Sequence, residues 1–417
     1  MGKRLVVVVH GTFAAQENWW KPGSPRDSTF ADKLEAALAR RGLVGTVWAP
    51  AAEAGLDPDA FGWKGENRHG ARVEGGRRLA GALAEAARRL GATAEDPLTV
   101  DLVAHSHGGN VVLEALGRLD PSVRCGSVVM LGTPLLWRRP AMRPLRVLCT
   151  LLLLGIAGLM AVALPVAAVT GEWEASLGAA LFLLLYLPFL GWVSLFGATV
   201  LDLAWRLLHF LLLAPWGAAA GQCYGPRPWR LRRVLGGRPI FLVRSRFDEA
   251  ELILDLGSAP KMLYELRSRG KGPLRRLLVW VFLKPLAYLA LDIVEVILER
   301  LALGFSWLQV LFFDHRSSVD GDEGPYTAAS VVRVDVTADL RRVGKARALT
   351  SGLLPIPLAS GDSEEDLPPG ERRLREFGAR LDAVRRSFQD QIQLRHSLYY
   401  ECQPVVEQIA DRIAAVV

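Results

Sequence analysis

The sequence predicts an α/β fold, a mostly parallel sheet with helices on both faces, into which apolar segments are inserted. Three observations carry this. Short β-branched runs recur without helical period, amphipathic helical patterns lie between several of them, and one run, "LTVDLVAHSHGGNVVLEAL" (98–116), breaks on small and polar residues before resuming with a helical rhythm. Strands that alternate with helices pair in parallel and are covered by those helices.

In chain order, "LVVVV" (5–9) reads as a buried parallel strand ending in "HGTF". Further strands are expected at "GTVWAP" (45–50), "LTVDLVA" (98–104), "CGSVVML" (125–131), "PIFLVRS" (239–245) and "VVRVDV" (331–336). The patterns "FADKLEAALARRG" (30–42) and "RRLAGALAEAARRLG" (77–91) predict helices, each stopped by a glycine. A third helix begins near Asn110.

Two blocks interrupt the alternation. In the first, 147–171 is an uncharged stretch of 25 residues and 175–201 one of 27, each longer than the roughly 20 apolar residues that cross a bilayer. Arginines 138, 139, 143 and 146 precede the block, and 227, 230, 232 and 233 follow it. Strands on both sides must join one sheet, so the chain crosses an even number of times. A transmembrane hairpin is the simplest count, with "GEWEAS" (171–176) on the far side and the rest of the chain cytoplasmic by its flanking cations. The uncharged stretch 207–226 then lies in the interface or packs on the domain. The second block, 274–313, is broken by charge; spacings of three and four put Asp292, Glu295 and Glu299 on one face of an amphipathic, non-spanning helix. A helical cap buried against the domain is the alternative for both blocks.

The expected organisation is a core part at 1–142, an apolar helical insertion at 143–226, core again at 227–272, an amphipathic insertion at 273–314 and a C-terminal core part at 315–417. "GDSEEDLPPGERR" (361–373) reads as a solvated acidic loop and carries no chemistry.

A formal net charge of +7 with scattered arginines suits a membrane surface, and no nucleic-acid signature accompanies it. Four cysteines, far apart and without a C-x-x-C pair, indicate neither a disulfide framework nor a zinc site. Five apolar residues after the basic pair at the start are too few for the core of a cleaved export signal.

The junction "AHSHGG" between strand and helix has the layout of a nucleophile elbow. Its turn is so tight that the positions two before and two after the serine must be small, and here they are Ala104 and Gly108. Alanine in place of the usual first glycine eases the steric requirement without removing it. A Gly-rich strand-to-helix turn of purely structural purpose is the alternative reading. His105 and His107 flank Ser106, but neighbours of so sharp an apex project away from it.

"VVHGTF", "AHSHGGN", "FDEAEL" (247–252) and "HSLYYE" (396–401) stand in the order in which lipase and esterase members of the α/β-hydrolase superfamily carry oxyanion strand, nucleophile, acid and histidine. The chain resembles a membrane-inserted relative of that family over most of 1–142, 227–260 and 390–417. The resemblance implies an α/β-hydrolase fold and a triad of Ser106, Asp248 and His396, with the backbone N–H groups of His107 and Thr12, or of Phe13, as the oxyanion hole. Rivals for the acid are Glu249, Asp255 and Asp314, and His315 is the rival base. One departure stands out: the last clear strand ends some 60 residues before His396. Trp63, Asn67 and Arg72, in "FGWKGENRHGAR" (61–72), shape the site or order their loop, or belong to an exposed glycine-rich loop.

The function so implied is a serine hydrolase of the inner membrane, its catalytic domain facing the cytoplasm, that cleaves carboxylic esters, by preference lipid or acylglycerol-like ones. It needs no cofactor and no metal, and its partners are the lipid bilayer and the ester substrate. A catalytically silent fold serving as a membrane scaffold or binding module, and a thioesterase or peptidase with the same triad, are the alternatives.

Overall fold

β-Branched and aliphatic residues in short runs, with no polar side chain to satisfy, form strands that bury both faces, and β1 (Arg4–Val9) does so completely from Leu5 onward. In this computed structural model the described residues are 3–12, 29–43, 47, 62–141, 143, scattered positions between 155 and 211, 223–245, scattered positions between 293 and 303, 304–317, 325–326, 331–340 and 399–416. Within them lie β2 (Leu98–His105), β3 (Val123–Leu131), β4 (Leu136–Pro140), β5 (Ile240–Arg244), β6 (Phe313–Ser317) and β7 (Val331–Asp335). The helices are α1 (Phe30–Ala39), α2 (His69–Arg89), α3 (Gly108–Leu116), α4 (Pro228–Val234), α5 (Trp307–Phe312) and α6 (Gln403–Ala414).

Five strands form one wholly parallel sheet in the order β1-β2-β3-β5-β7, and Val47 adds a parallel bridge on the far side of β1 through Val6. The strand expected at 45–50 is therefore present as this bridge alone among the described residues. From β1 the chain steps outward to Val47, then returns across β1 to β2. Right-handed crossovers in opposite directions put their helices on opposite faces of a sheet. Accordingly α1 pairs with α6, Arg41 reaching Glu407 and Asp411, while α2 lies on α3, where a Cβ at Gly76 would come within 2.5 Å of the Glu114 side chain. The mostly parallel α/β architecture expected from the sequence is thus present.

Helix α2 begins eight residues before the pattern that predicts it. "HGARVEGG" reads as a loop by composition, yet Gly75 and Gly76 are needed in the helix: a Cβ at Gly75 would meet the Trp63 ring at 3.0 Å, and one at Gly76 the Val111 carbonyl at 2.8 Å. Close packing overrides propensity here. Also unforeseen is a two-stranded antiparallel sheet of β4 with β6, which joins the chain just before the first apolar block to the chain just after the second.

Among the described residues no helix is long and apolar enough to cross a membrane. Most of 147–171 and 175–201 lies outside them. The second block departs from expectation. Glu299 is buried, with Arg143 Nη2 at 2.8 Å and His315 Nδ1 at 3.2 Å, whereas Val294, Ile297 and Leu301 of the same helical segment are exposed. Glu299, expected on the polar face, is turned inward because it has a buried cation to satisfy; Asp292 and Glu295 lie outside the described residues.

Asp101 breaks the apolar pattern of β2 for an identifiable reason. The β2–β3 register shifts between Val100 and Leu102, which leaves the Ser127 N–H outside the regular ladder. The Asp101 carboxylate accepts it at 2.7 Å, filling the space a side chain at Gly126 would occupy, and accepts Arg4 Nε at 2.6 Å; Arg4 Nη2 in turn donates to the Ile413 carbonyl. One ion pair, its carboxylate fully buried, so ties three strands to α6. Removing one partner of such a pair costs about 3–5 kcal/mol, because it strands the other charge. Asp101→Ala is expected to lower unfolding stability by that amount in a denaturant titration of the detergent-solubilised protein; an unshifted midpoint would refute the assignment.

Candidate active site

The C-terminal ends of β1 and β2 adjoin where the strand order reverses, and crevices in open α/β sheets form at that point. β1 ends at Val9 and is followed by His10, Gly11 and Thr12; β2 ends at His105 and is followed by Ser106. Ser106 has φ of 52°, the one positive value among described residues other than glycine. A left-handed serine costs on the order of 1–3 kcal/mol and persists only when its surroundings fix it. They do so here. The Ser106 N–H donates to the Leu131 carbonyl of β3 at 2.8 Å, its own carbonyl accepts the Gly109 N–H at 3.0 Å, and α3 starts at Gly108.

The packing around the turn leaves no room for side chains. A Cβ at Gly108 would sit 2.5 Å from the His10 carbonyl oxygen and 2.7 Å from that of Val9; one at Gly109 would sit 2.3 Å from the Thr133 methyl. On the β1 side, a Cβ at Gly11 would lie 2.7 Å from Ser106 Cβ. Ala104, two before the serine, is buried between its neighbours on β1 and β3, Val9 and Met130. Thr12 and His107, the expected amide donors, are the residues that follow Gly11 and Ser106 on the two sides of this contact.

His10 fixes the loop that follows β1. Its Nδ1 lies 2.8 Å from the Gly11 carbonyl oxygen and its Nε2 3.2 Å from that of Trp63, while the Trp63 indole donates to the His10 carbonyl at 2.9 Å. The loop containing Trp63 is held in turn by Arg72, which is fully buried: it donates to Tyr224 Oη at 2.5 Å, Asn67 Oδ1 at 3.0 Å and the Leu303 carbonyl. Trp63, Asn67 and Arg72 therefore order one loop, and through Tyr224 and Leu303 they bind it to the far ends of both apolar blocks.

His69, at the start of α2, is pushed down to about 4, first by burial and then by the nearby cations Arg72 and Arg138 and by His315. Its Nδ1 is 3.0 Å from Tyr224 Oη. A cleft of about 590 Å³ beside it is lined by Trp63, Arg78, Arg300 and Phe305 among others, and Ser106 is not part of its wall.

Asp248 and His396 lie outside the described residues, as do Phe13, Glu249 and Asp255. Their described neighbours meet. The Ser245 N–H donates to Tyr399 Oη at 2.8 Å, and the Tyr399 and Tyr400 rings lie 6.2 and 5.4 Å from the His105 ring. His107 Nδ1 is 3.1 Å from Asn110 Nδ2. Tyr399 and Ser245 meet beside the end of β2, a contact that residue type alone does not announce; the aromatic pair in "HSLYYE" is the signal that points to it. His315 stands elsewhere, on β6, stacked on Phe305 at 3.9 Å and paired with Glu299. No family model, curated protein or solved structure matches the chain, so the reading of these residues rests on their geometry and chemistry.

Two outcomes are expected. Trp63→Phe keeps an aromatic ring but loses the indole donor to His10 and part of the buried ring, and should speed amide exchange at Gly11 and Thr12 while costing about 1 kcal/mol for the hydrogen bond and about 1 kcal/mol more for the space left; unchanged exchange would contradict the clamp. Because His69 binds its proton less readily folded than unfolded, its contribution is complete above about 6.5 and is lost as pH falls towards about 4. Between pH 7 and 5 His69→Gln should therefore lose less stability than the parent, measured as the shift of the denaturation midpoint.

Proposed function

We propose that the chain is a membrane-associated serine hydrolase of α/β-hydrolase type, cleaving carboxylic esters and by preference lipid or acylglycerol-like esters. The observation that carries this is Ser106 at positive φ, between a buried parallel strand and a helix opened by two glycines, with Gly11 of the neighbouring strand's loop against its Cβ. A turn of that shape presents a serine hydroxyl at the top of the sheet. The reversal of strand order between β1 and β2 supports the same location.

The proposed triad is Ser106, His396 and Asp248. Three residues of chain reach at most about 11 Å. The bond between Ser245 and Tyr399 therefore brings together two tethers, one three residues before Asp248 and the other three after His396, beside the strand end that bears Ser106. That convergence favours His396 over His315, which is engaged with Glu299.

In the proposed reaction His396 takes the Ser106 proton as Oγ attacks the ester carbonyl, and Asp248 holds the imidazole in the required tautomer and stabilises the imidazolium. The oxyanion accepts N–H groups of Thr12 and His107. As the intermediate collapses, the alcohol leaves with the proton from His396. Water then repeats the sequence on the acyl-enzyme and releases the acid. The chemistry needs no metal and no organic cofactor.

The substrate class follows from the apolar insertions. Described helical positions within them, among them Val162, Val166, Phe189 and Phe196, are more than half exposed. Surfaces of that kind mark a partner or a membrane. An enzyme anchored beside its own elbow meets acyl chains at high local concentration, with the domain on the cytoplasmic face of the inner membrane.

A fluorophosphonate probe tests the nucleophile on detergent-solubilised full-length protein. Labelling is expected in the parent, none in Ser106→Ala, and a rate lower by about 10³-fold or more in His396→Ala and Asp248→Asn. Label retained in Ser106→Ala would overturn the assignment, and an unlabelled parent would favour a silent scaffold. Retention in the pellet after a carbonate wash is expected; release to the supernatant would overturn the membrane anchor.

A further inference from the structure

The helical segment between 293 and 303 has two faces of the wrong kind for a solvated helix. Val296, Glu299 and Leu303 point inward and are buried, whereas Val294, Ile297 and Leu301, at the same spacing on the other side, are 40%, 42% and 68% exposed. The chain then turns at Gly304 into α5, whose first two residues, Trp307 and Leu308, are 53% and 70% exposed. Five large apolar side chains thus face outward along one short stretch. The one acid described in the segment is inside, neutralised by Arg143 at 2.8 Å.

The partner of this stripe is indicated by what stands next to it. Arg143 precedes the uncharged 25-residue run by four positions, so the Arg143–Glu299 pair roots the stripe beside a segment of membrane-spanning length. The cleft at the start of α2 borders the same segment through Arg300 and Phe305. Its acids are engaged, Glu66 by Arg68 and Glu74 by Arg77 and Arg78. Among the described residues Lys64 and Arg300 have no carboxylate partner, and the Arg300 guanidinium lies 5.9 Å from the Trp307 ring. An apolar stripe edged by tryptophan and cations matches the boundary of an acidic leaflet, where each cation near the surface contributes about 1 kcal/mol.

We infer that Val294, Ile297, Leu301, Trp307 and Leu308 form a second, peripheral membrane-docking face, laid on the acidic leaflet with Lys64 and Arg300 over the headgroups. This rests on the membrane reading above and extends it: the first block anchors the chain, and the second sets the orientation of the domain on the surface. In that orientation the loop bearing Trp63, and through His10 the crevice at Ser106, stays close to the leaflet.

The test uses the photoreactive residue p-benzoylphenylalanine in place of Leu301, Leu308, Val166, Phe196 or Arg88, one at a time, in full-length protein. Each variant is reconstituted in nanodiscs of phosphatidylcholine alone or with roughly one third phosphatidylserine. Lipid-mass adducts are expected at 301 and 308 and not at the exposed control 88. Their yield should rise at least about threefold with the acidic lipid, and Lys64→Gln/Arg300→Gln should abolish the rise. Adducts at 166 and 196 without any at 301 and 308 would overturn this inference and leave the anchor intact. No lipid adduct at any position would overturn both. Adducts to a second protein chain at 301 or 308, or a yield indifferent to the acidic lipid, would also overturn the docking face.

Discussion

The constraint on which the site depends is the closeness of two backbones, the loop after β1 and the first turn of α3. With the His10 carbonyl oxygen 2.5 Å from where a Gly108 side chain would begin, and Ser106 Cβ 2.7 Å from where a Gly11 side chain would begin, neither loop has slack. Ser106 is held in a conformation its own backbone disfavours because everything around it is backbone or fully buried. The strain at φ 52° is a local cost borne by a parallel sheet whose central strands are buried and mostly apolar.

That rigidity is shared outward in layers. The crevice leans on His10, His10 on Trp63, and the Trp63 loop on Arg72. The last link is unusual, since Arg72 is fully buried and its described acceptors are neutral: a phenol, an amide and a peptide carbonyl, with the Tyr224 and Phe305 rings alongside its charge. Hydrogen bonds from a cation are stronger than those between neutral groups, and several of them offset its burial. The loop conformation consequently depends on residues contributed by both insertions.

Much of the sheet and the tight turn at Ser106 was legible in the sequence because their signals are local. β-Branched runs without helical period mark β1, β2, β3 and β5, and small residues two positions on either side of Ser106 mark the turn. Other features were not legible, for reasons of distance. Glu299 reads as a surface charge until Arg143, 156 positions earlier, is placed beside it, and "LWRRP" has no strand pattern until "FDHRS" pairs with it. The glycines at 75 and 76 look like a loop because composition carries no information about the neighbour they admit. Asp101 reads as one more residue of a strand, since its reasons, the bulge at Ser127 and the cation of Arg4, lie on other strands. For Asp248 and His396, sequence order remains the main argument, joined now by the bond between Ser245 and Tyr399.

The Arg143–Glu299 pair also has a history within each molecule. At about 5–20 residues per second of synthesis, the 156 positions that separate the two correspond to roughly 8–30 s during which Arg143 exists and its carboxylate does not. Throughout that interval the guanidinium has no Glu299 to meet, so the packing around residue 143 waits for the segment near 299. Only afterwards does the same guanidinium become the inner half of a buried pair. The clasp it forms therefore closes late, joining the chain just after β4 to the segment at 293–303 only once both apolar blocks have been made.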